Sequence, residues 1–308
     1  MDAKAQVEAA HRGTLALNER DRATLVVGGN DRISWLNGLF TCDLVKRAPD
    51  SAVYGLAVAR SGKVMCDATV VVDEAGARVL LSVPGSAVDA LRAHLDHYLV
   101  MEDAEVSPEI GGFEAWSLHG PHSTEALRAA RAAGAIGGLI DRTGLGGAFA
   151  LAPLAVASTV RSSLEPFATV GDEDGWEALR LERAIPRFGA DFDERTYPQE
   201  AALEKVAVSF DKGCYLGQEV VCMLEMRGHV KRRLAALVFD EPAESALPAR
   251  GARVTDDQGG DVGEVTSAYR SPTLGRPIAL AMLKRAAGEP GKELRIGSVH
   301  ARVVERPA

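Results

Sequence analysis

The sequence predicts an α+β protein that ends in a small antiparallel β-barrel. Alternating apolar runs predict strands at 22–29, 64–73 and 77–85, and longer helical patterns interrupt them. From about residue 230 the chain changes to short strand-like pieces separated by Gly, Pro and Asp, which is the spacing that a small closed barrel requires. Because strands and helices do not form a regular βαβ series, no doubly wound fold is predicted.

Two helices are predicted among these strands. Residues 86–100 repeat apolar side chains every three or four positions after a serine that can cap a helix. Residues 123–134 have an Ala-rich middle and a terminal glycine. The glycine-rich stretch 143–150 lacks the full G-x-G-x-x-G pattern of a dinucleotide site, so we interpret it as a turn.

Length and composition predict the domain organisation and the compartment. A chain of 308 residues suits two or three domains, and the change near residue 230 predicts domains at 1–229 and 230–308. The chain has no apolar run long enough to cross a bilayer, and its first residues lack a secretory signal pattern. We therefore expect a cytoplasmic protein with reduced thiols, a monomer that binds no membrane. A net charge of −8 opposes stable nucleic-acid binding.

The four cysteines, Cys42, Cys66, Cys214 and Cys222, show no C-x-x-C spacing, so no metal site is predicted. Cys214 differs from the others because it lies in the stretch "KGCYLGQE", between glycines and ahead of a predicted helix. The positive end of that helix and the neighbouring Lys212 favour the thiolate, the reactive form of cysteine. A small residue that fills a turn is the alternative. The other three cysteines are interpreted as structural packing.

The stretch "KGCYLGQE" resembles the signature of the YgfZ-type folate-binding proteins, a branch of the glycine-cleavage T-protein (aminomethyltransferase) superfamily described as tRNA-modifying or iron-sulfur cluster assembly proteins. Four further segments resemble the superfamily in the same order, at 35–44, 61–67, 179–201 and 263–283. The resemblance therefore covers nearly the whole chain. Its signature residues are Lys212, Gly213, Cys214, Tyr215, Gly217, Gln218 and Glu219.

The resemblance implies a fold and a cofactor. It implies two related, intertwined α+β folate-binding subdomains in a ring-like body, followed by the barrel, with tetrahydrofolate or a one-carbon derivative in the central cavity. Matched by motif, Glu182 is the acid that reads the pterin, whose adjacent N–H donors suit a carboxylate. Trp176 matches an aromatic beside the folate. A helix-surface acid and a core tryptophan are the alternatives.

Asp67 matches the acid that lies by the reactive folate nitrogen in aminomethyltransferases and assists methylene transfer. Some YgfZ-type proteins carry a neutral amide there, whereas this chain keeps the carboxylate. Two positions depart from the family pattern. Met223 stands where the family pattern has an arginine, and Arg22 stands where an aromatic is expected near the N-terminal strand.

Three functions follow from the resemblance. The first is a folate-binding accessory protein that supports iron-sulfur cluster assembly or repair, including enzymes of tRNA modification, with Cys214 as its working thiol. Iron-sulfur enzymes or assembly factors are then its partners. The second is a folate-dependent aminomethyltransferase or demethylase that uses Asp67. The third is a non-catalytic folate-binding scaffold.

Overall fold

Helices and strands alternate along the chain, and the protein has the mixed α+β fold that the sequence predicts. The computed structural model describes residues 1–48, 50–107, 112–228, 230–240 and 246–308. Its helices are α1 (Ala3–Arg12), α2 (Arg32–Asn37), α3 (Val88–His97), α4 (Ser123–Ala132), α5 (Ala157–Leu164), α6 (Glu173–Glu182), α7 (Glu204–Ala207) and α8 (Gln218–Met226). Across the described ranges, no helix is both long enough and apolar enough to cross a membrane.

The chain forms two compact units, each assembled from separated stretches. The first, called the sheet unit, consists of Glu8–Asp172 and Lys205–Val220. The second, called the barrel unit, consists of Met1–Val7, Glu173–Glu204 and Val221–Ala308.

Two five-stranded sheets form the sheet unit. The strands of the first sheet, in spatial order, are β3 (Ala52–Val58), β4 (Val64–Asp73), β5 (Arg78–Pro84), β2 (Arg22–Gly28) and β6 (Glu105–Val106). Those of the second sheet are β10 (Thr169–Val170), β1 (Leu15–Asn18), β7 (Phe113–His119), β9 (Gly147–Pro153) and β8 (Ile136–Leu139). Because β1 precedes the first sheet in the chain but pairs within the second, the two halves are intertwined.

The two halves of the sheet unit repeat one local structure. In the first, β5 ends at Pro84 and passes through a single 3₁₀ turn, Gly85–Ala87, into α3. In the second, β9 ends at Pro153 and passes through the turn Leu154–Val156 into α5. A proline that ends each strand fixes φ near the value that the following turn needs. The repeat accords with two related subdomains.

The sheets share one apolar core. Val71 of β4 and Leu80 of β5 pack in one cluster with Phe149 and Leu151 of β9, so these faces of the two sheets are turned toward each other. On the opposite face of the second sheet, helices α4 and α5 cover a second cluster that contains Trp116. The central strands β7 and β9 of the second sheet are therefore buried on both faces, which fits their continuous apolar runs.

A closed antiparallel barrel forms most of the barrel unit, as the sequence predicts. Its strands, in spatial order, are β11 (Arg232–Phe239), β14 (Arg276–Lys284), β13 (Asp261–Ser271), β12 (Arg253–Thr255), β15 (Glu293–Ile296) and β16 (Val299–Val304). Leu181 of α6 packs against Leu234 and Leu280 of the barrel. The barrel begins close to the predicted boundary, but residue 229 lies outside the described residues. The division at 1–229 and 230–308 stays a prediction.

Candidate functional site

A row of polar side chains is buried on one face of the first sheet. Thr69 of β4 lies opposite Tyr54 of β3 and opposite Ser82 of β5. Asp67 precedes Thr69 by two residues on β4, so both side chains point to the same face. Asp67 is only 4% exposed, and the other three are also buried. A face that carries a buried carboxylate must supply it with a partner.

That partner is Arg22, the first residue of β2. Its Nη1 donates to Asp67 Oδ2 at 3.4 Å. Its Nε and Nη2 donate to Ser82, at 3.1 Å to the side-chain Oγ and at 2.5 Å to the backbone carbonyl oxygen. Burial lowers the pKa of Arg22, but the charges of Asp67 and Glu19 offset this effect and raise the pKa overall. Arg22 is therefore a fixed cation beside Asp67.

Polar side chains of the second sheet face the same space. Val71 lies on the Asp67 face of β4 and packs with Phe149, and Phe149 pairs with Ser117 of β7. The buried side chain of Ser117 is therefore turned toward the first sheet, and so is that of His119 two residues later. We give one name, the inter-sheet polar region, to these side chains of the two sheets together with Arg142 of the loop before β9. The region comprises Arg22, Tyr54, Asp67, Ser82, Ser117, His119 and Arg142.

Three buried polar atoms in this region lack a hydrogen-bond partner of acceptable distance and angle in the described part of the chain. They are Asp67 Oδ1, the Tyr54 hydroxyl oxygen and Ser117 Oγ. The Tyr54 hydroxyl nevertheless lies close enough to the Asp67 carboxylate for their interaction to raise the pKa of Tyr54. The carboxylate of Asp67 is thus anchored through Oδ2 and open at Oδ1. Because buried polar groups are nearly always paired, three open atoms on facing surfaces indicate a place for a polar ligand or ordered water.

Arg142 holds the Tyr54 ring. Its guanidinium carbon lies 3.9 Å from the centre of that ring. The loop that presents Arg142 is fixed by Asp141, which accepts hydrogen bonds from the backbone N–H groups of Thr143, Gly144 and Gly146. The first half of the glycine-rich stretch, up to Gly146, is therefore a turn as the sequence predicts, whereas residues 147–150 belong to β9. Burial and the charge of Asp67 raise the pKa of Tyr54, although Arg142 lowers it, so the phenol is neutral.

His119 is also neutral. Burial, followed by the charge of Arg142, lowers the pKa of His119 to about 3. A neutral imidazole carries one N–H donor and one acceptor nitrogen. At neutral pH the region therefore combines a carboxylate paired with an arginine, a neutral phenol and a neutral imidazole.

Lys212, the first residue of the signature, is buried and 7% exposed. Its Nζ donates to three backbone carbonyl oxygens, those of Asn37 at 2.5 Å, Phe40 at 2.7 Å and Cys42 at 2.6 Å. Burial lowers the pKa of Lys212 to about 8. The ammonium group of Lys212 is thus bonded to backbone carbonyl groups, and the expectation that it favours the thiolate of Cys214 stays a prediction.

The rest of the signature forms a turn that leads into α8. Gly217 has φ +77°, and a Cβ atom there would lie 2.4 Å from the Ala59 carbonyl oxygen, so only glycine fits. Gly213 has neither constraint, so the expected sharp turn is found on one side only. The side-chain oxygen of Gln218 accepts from the backbone N–H of Tyr215, which is buried. Glu219 is exposed in the first turn of α8.

The four cysteines differ in exposure, and three of them, Cys42, Cys66 and Cys214, are buried or exposed as the sequence predicts. Cys214 is exposed ahead of α8, whereas Cys42 and Cys66 are buried. Burial raises the pKa of Cys42 to about 12 and also raises that of Cys66. Cys222 is half-buried rather than packed away. Among the described residues, no group of three or more His, Cys, Asp or Glu side chains could hold a metal ion.

Glu182 and Trp176 lie on α6 in the barrel unit. Glu182 is 0% exposed. Ser271 donates its hydroxyl to Glu182 Oε1, and Thr273 donates its backbone N–H to Oε1 and its hydroxyl to Oε2. This pairing argues against the pterin-reading role expected of Glu182, because its carboxylate already joins α6 to the barrel. Trp176 is half-buried, and its place beside a folate stays a prediction.

Sequence analysis missed several residues of the inter-sheet polar region. Tyr54, Ser117 and Arg142 belong to no motif that we recognised, and Arg22 was noted only as a departure. Strand alternation alone could have placed Ser117 and His119 on one face of a strand at 113–119. Only the pairing of distant strands, however, brings that face to Asp67.

Known proteins resemble this chain in its barrel and along most of its length. Residues 232–308 match the glycine cleavage T-protein C-terminal barrel domain. The chain is 29% identical over 306 residues to an aminomethyltransferase of a Nostoc species, a match that covers 91% of this chain and 80% of the relative. It is 34% identical over 134 residues to the aminomethyltransferase of Staphylococcus saprophyticus, which covers 42% of this chain and 36% of that protein. The match thus spans about a third of the staphylococcal protein.

The fold agrees with these sequence matches. The crystal structure of glycine cleavage system aminomethyltransferase T from Bartonella henselae has a TM-score of 0.82 and 18% identity, and the match covers 99% of this chain and 89% of that chain. The chain is therefore similar to aminomethyltransferases in sequence, shares the fold of the Bartonella protein, and carries the T-protein barrel domain at 232–308. The YgfZ branch, which the signature resembles, stays a proposal.

Proposed function

We propose that the protein is a folate-dependent aminomethyltransferase of the glycine-cleavage type, which binds tetrahydrofolate or a one-carbon derivative at the inter-sheet polar region. The observation that carries this proposal is the state of Asp67. Its carboxylate is buried and anchored to Arg22 through Oδ2, while Oδ1 has no hydrogen-bond partner among the described residues. The similarity to aminomethyltransferases over most of the chain supports the same function.

The residues present fit a reduced folate. An unpaired buried polar group costs about 1–3 kcal/mol, so a ligand that donates to Asp67 Oδ1 is stabilised by that pairing. The N–H groups of a reduced pterin suit a carboxylate oxygen, and the hydroxyl groups can donate or accept. When bound, tetrahydrofolate supplies the nitrogen that receives the one-carbon unit.

Each residue then has a defined task. Asp67 accepts a hydrogen bond at Oδ1. Arg22 orients the carboxylate through Oδ2, and Arg142 keeps the Tyr54 ring in place. The neutral imidazole of His119 adds no charge to the region. The facing sheets exclude bulk water, which strengthens every one of these electrostatic interactions.

The test is calorimetric titration with folinic acid, a stable reduced folate, together with an assay for turnover of an aminomethyl donor. Asp67→Asn should lower the affinity about tenfold or more and abolish turnover. Asp73→Asn is the matched control, because Asp73 lies on the same strand but pairs with Arg78. If the wild-type protein binds no reduced folate, the proposed function fails.

A second candidate is the iron-sulfur accessory role, with iron-sulfur enzymes or assembly factors as partners in the cytoplasm. The observation that favours it is the exposed thiol of Cys214 within the signature. The similarities support the transferase better, because the named relatives are aminomethyltransferases. Complementation of a strain that lacks its own family member, with wild-type and Cys214→Ser protein, tests the role through tRNA methylthiolation. Folate binding without turnover, and without a need for Cys214, would indicate a scaffold.

A further inference from the structure

Arg22 is held by groups other than Asp67. Nε and Nη2 donate to the Ser82 side chain and carbonyl, and Nε also lies 3.5 Å from Glu19 Oε2. Only Nη1 is directed to Asp67. The position of the guanidinium is therefore set by β5 and by the turn before β2, and the carboxylate of Asp67 must adjust to it.

We propose that Arg22 is a positioning residue for ligand binding at Asp67. By pairing with Oδ2 it makes Oδ1 the oxygen that is offered to the ligand, and it supplies the buried carboxylate with a fixed positive charge. The ligand group that meets Oδ1 is then a hydrogen-bond donor, such as an N–H. This inference rests on the proposed folate-binding function. It assigns a role in ligand binding to Arg22, which departs from the family pattern.

The chemistry of arginine supports this task. A buried carboxylate without a cation is costly, so an uncharged residue at position 22 would leave Asp67 to take up a proton or to turn toward another partner. A protonated carboxyl group would present a donor where the proposed ligand also presents one. Lysine keeps the charge but lacks the planar fork that contacts Ser82 and Asp67 together, so it can replace arginine only in part.

A double-mutant cycle separates positioning from a general effect on the fold. Folinic acid affinity is measured by calorimetry for wild-type, Arg22→Met, Asp67→Asn and the double variant. Arg22→Met should weaken binding about tenfold alone and have almost no further effect in the Asp67→Asn background, because both changes then act on one interaction. Arg22→Lys should recover part of the loss. Arg78→Met is the control, since it breaks the ion pair with Asp73 in the same sheet and should leave affinity unchanged.

Each outcome decides the proposal. Additive losses in the double variant would overturn it, because Arg22 would then act independently of Asp67. Equal losses for Arg22→Met and Arg78→Met would overturn it too, since any broken ion pair in the sheet would suffice. If Arg22→Met does not fold, as judged by circular dichroism, Arg22→Gln takes its place in the cycle with the same expectation. A wild-type protein that binds no folinic acid overturns the proposed function itself, and this inference with it.

Discussion

Replacing Lys212 by methionine tests whether the signature lysine is structural. The ammonium group donates to the carbonyl oxygens of Asn37, Phe40 and Cys42 at 2.5 to 2.7 Å. A hydrogen bond from a charged donor contributes about 1.5–3 kcal/mol, and the three bonds lie in a buried setting. Methionine keeps the apolar stem but leaves three carbonyl groups unpaired.

The expected net loss is smaller than the sum of the three bonds. Burial of the ammonium already costs free energy, which its lowered pKa of about 8 reflects, and methionine removes that cost. We therefore expect Lys212→Met to lower the free energy of unfolding by about 2–4 kcal/mol, with no change in the denaturant m-value. Denaturant unfolding followed by circular dichroism measures both quantities.

Lys46→Met is the control. Lys46 is exposed and donates only to the Asp211 carbonyl oxygen at 3.4 Å, so its replacement should change stability by no more than about 0.5 kcal/mol. If Lys212→Met were as stable as Lys46→Met, the three bonds would contribute nothing and the structural role would be refuted. The role that the sequence suggests for Lys212, stabilisation of the Cys214 thiolate, would then be favoured.

Three further predictions follow from burial and pairing. Because burial lowers the pKa of His119 to about 3, the unfolded chain binds one more proton than the folded chain between that pH and its ordinary value near 6.5, so stability should fall with pH below 6.5. At pH 5 this histidine lowers the free energy of unfolding by about 2 kcal/mol relative to neutral pH. His119→Gln should remove that part of the pH dependence of unfolding. A limiting alkylating reagent followed by mass spectrometry should label Cys214 first and Cys66 last, whereas first labelling of a buried cysteine would contradict the structure. Glu182→Gln should lower the free energy of unfolding by about 1–3 kcal/mol and leave folinic acid affinity unchanged. Unchanged stability with weaker folinic acid binding would instead support the pterin-reading role of Glu182.

Local patterns in the sequence predicted local structure well. The strand expected at 64–73 is β4, and the helix expected at 123–134 is α4, which begins at Ser123 and ends two residues early at Ala132. The barrel was also predicted, because short alternating runs separated by glycines are typical of the strands and turns of a small barrel. These features depend on residues that are neighbours in the chain, where period and turn chemistry act directly.

The candidate site depends on pairings between distant residues. Lys212 bonds to Asn37 over 175 positions, and Arg22 meets Asp67 over 45. No periodicity in one segment indicates which strand lies beside it, so the resemblance named Asp67 but could not name its partner. Glu182 is also paired over a long distance, and its pterin-reading role stays a prediction. Its partners Ser271 and Thr273 lie about 90 positions away, on the barrel.

The two reactive groups of the sheet unit differ in what can reach them. Asp67 is 4% exposed and lies between two sheets, so only a small ligand or water can pair with its open oxygen. Cys214 is exposed on a turn whose neighbour Lys212 is fixed to the chain near α2, so its thiol can meet a macromolecule. We infer that folate chemistry and any thiol-dependent support of other enzymes use separate groups. Asp67→Asn should then impair only the first of these activities, and Cys214→Ser only the second. A Cys214→Ser protein that loses both would require the thiol to take part in folate binding, which contradicts this separation.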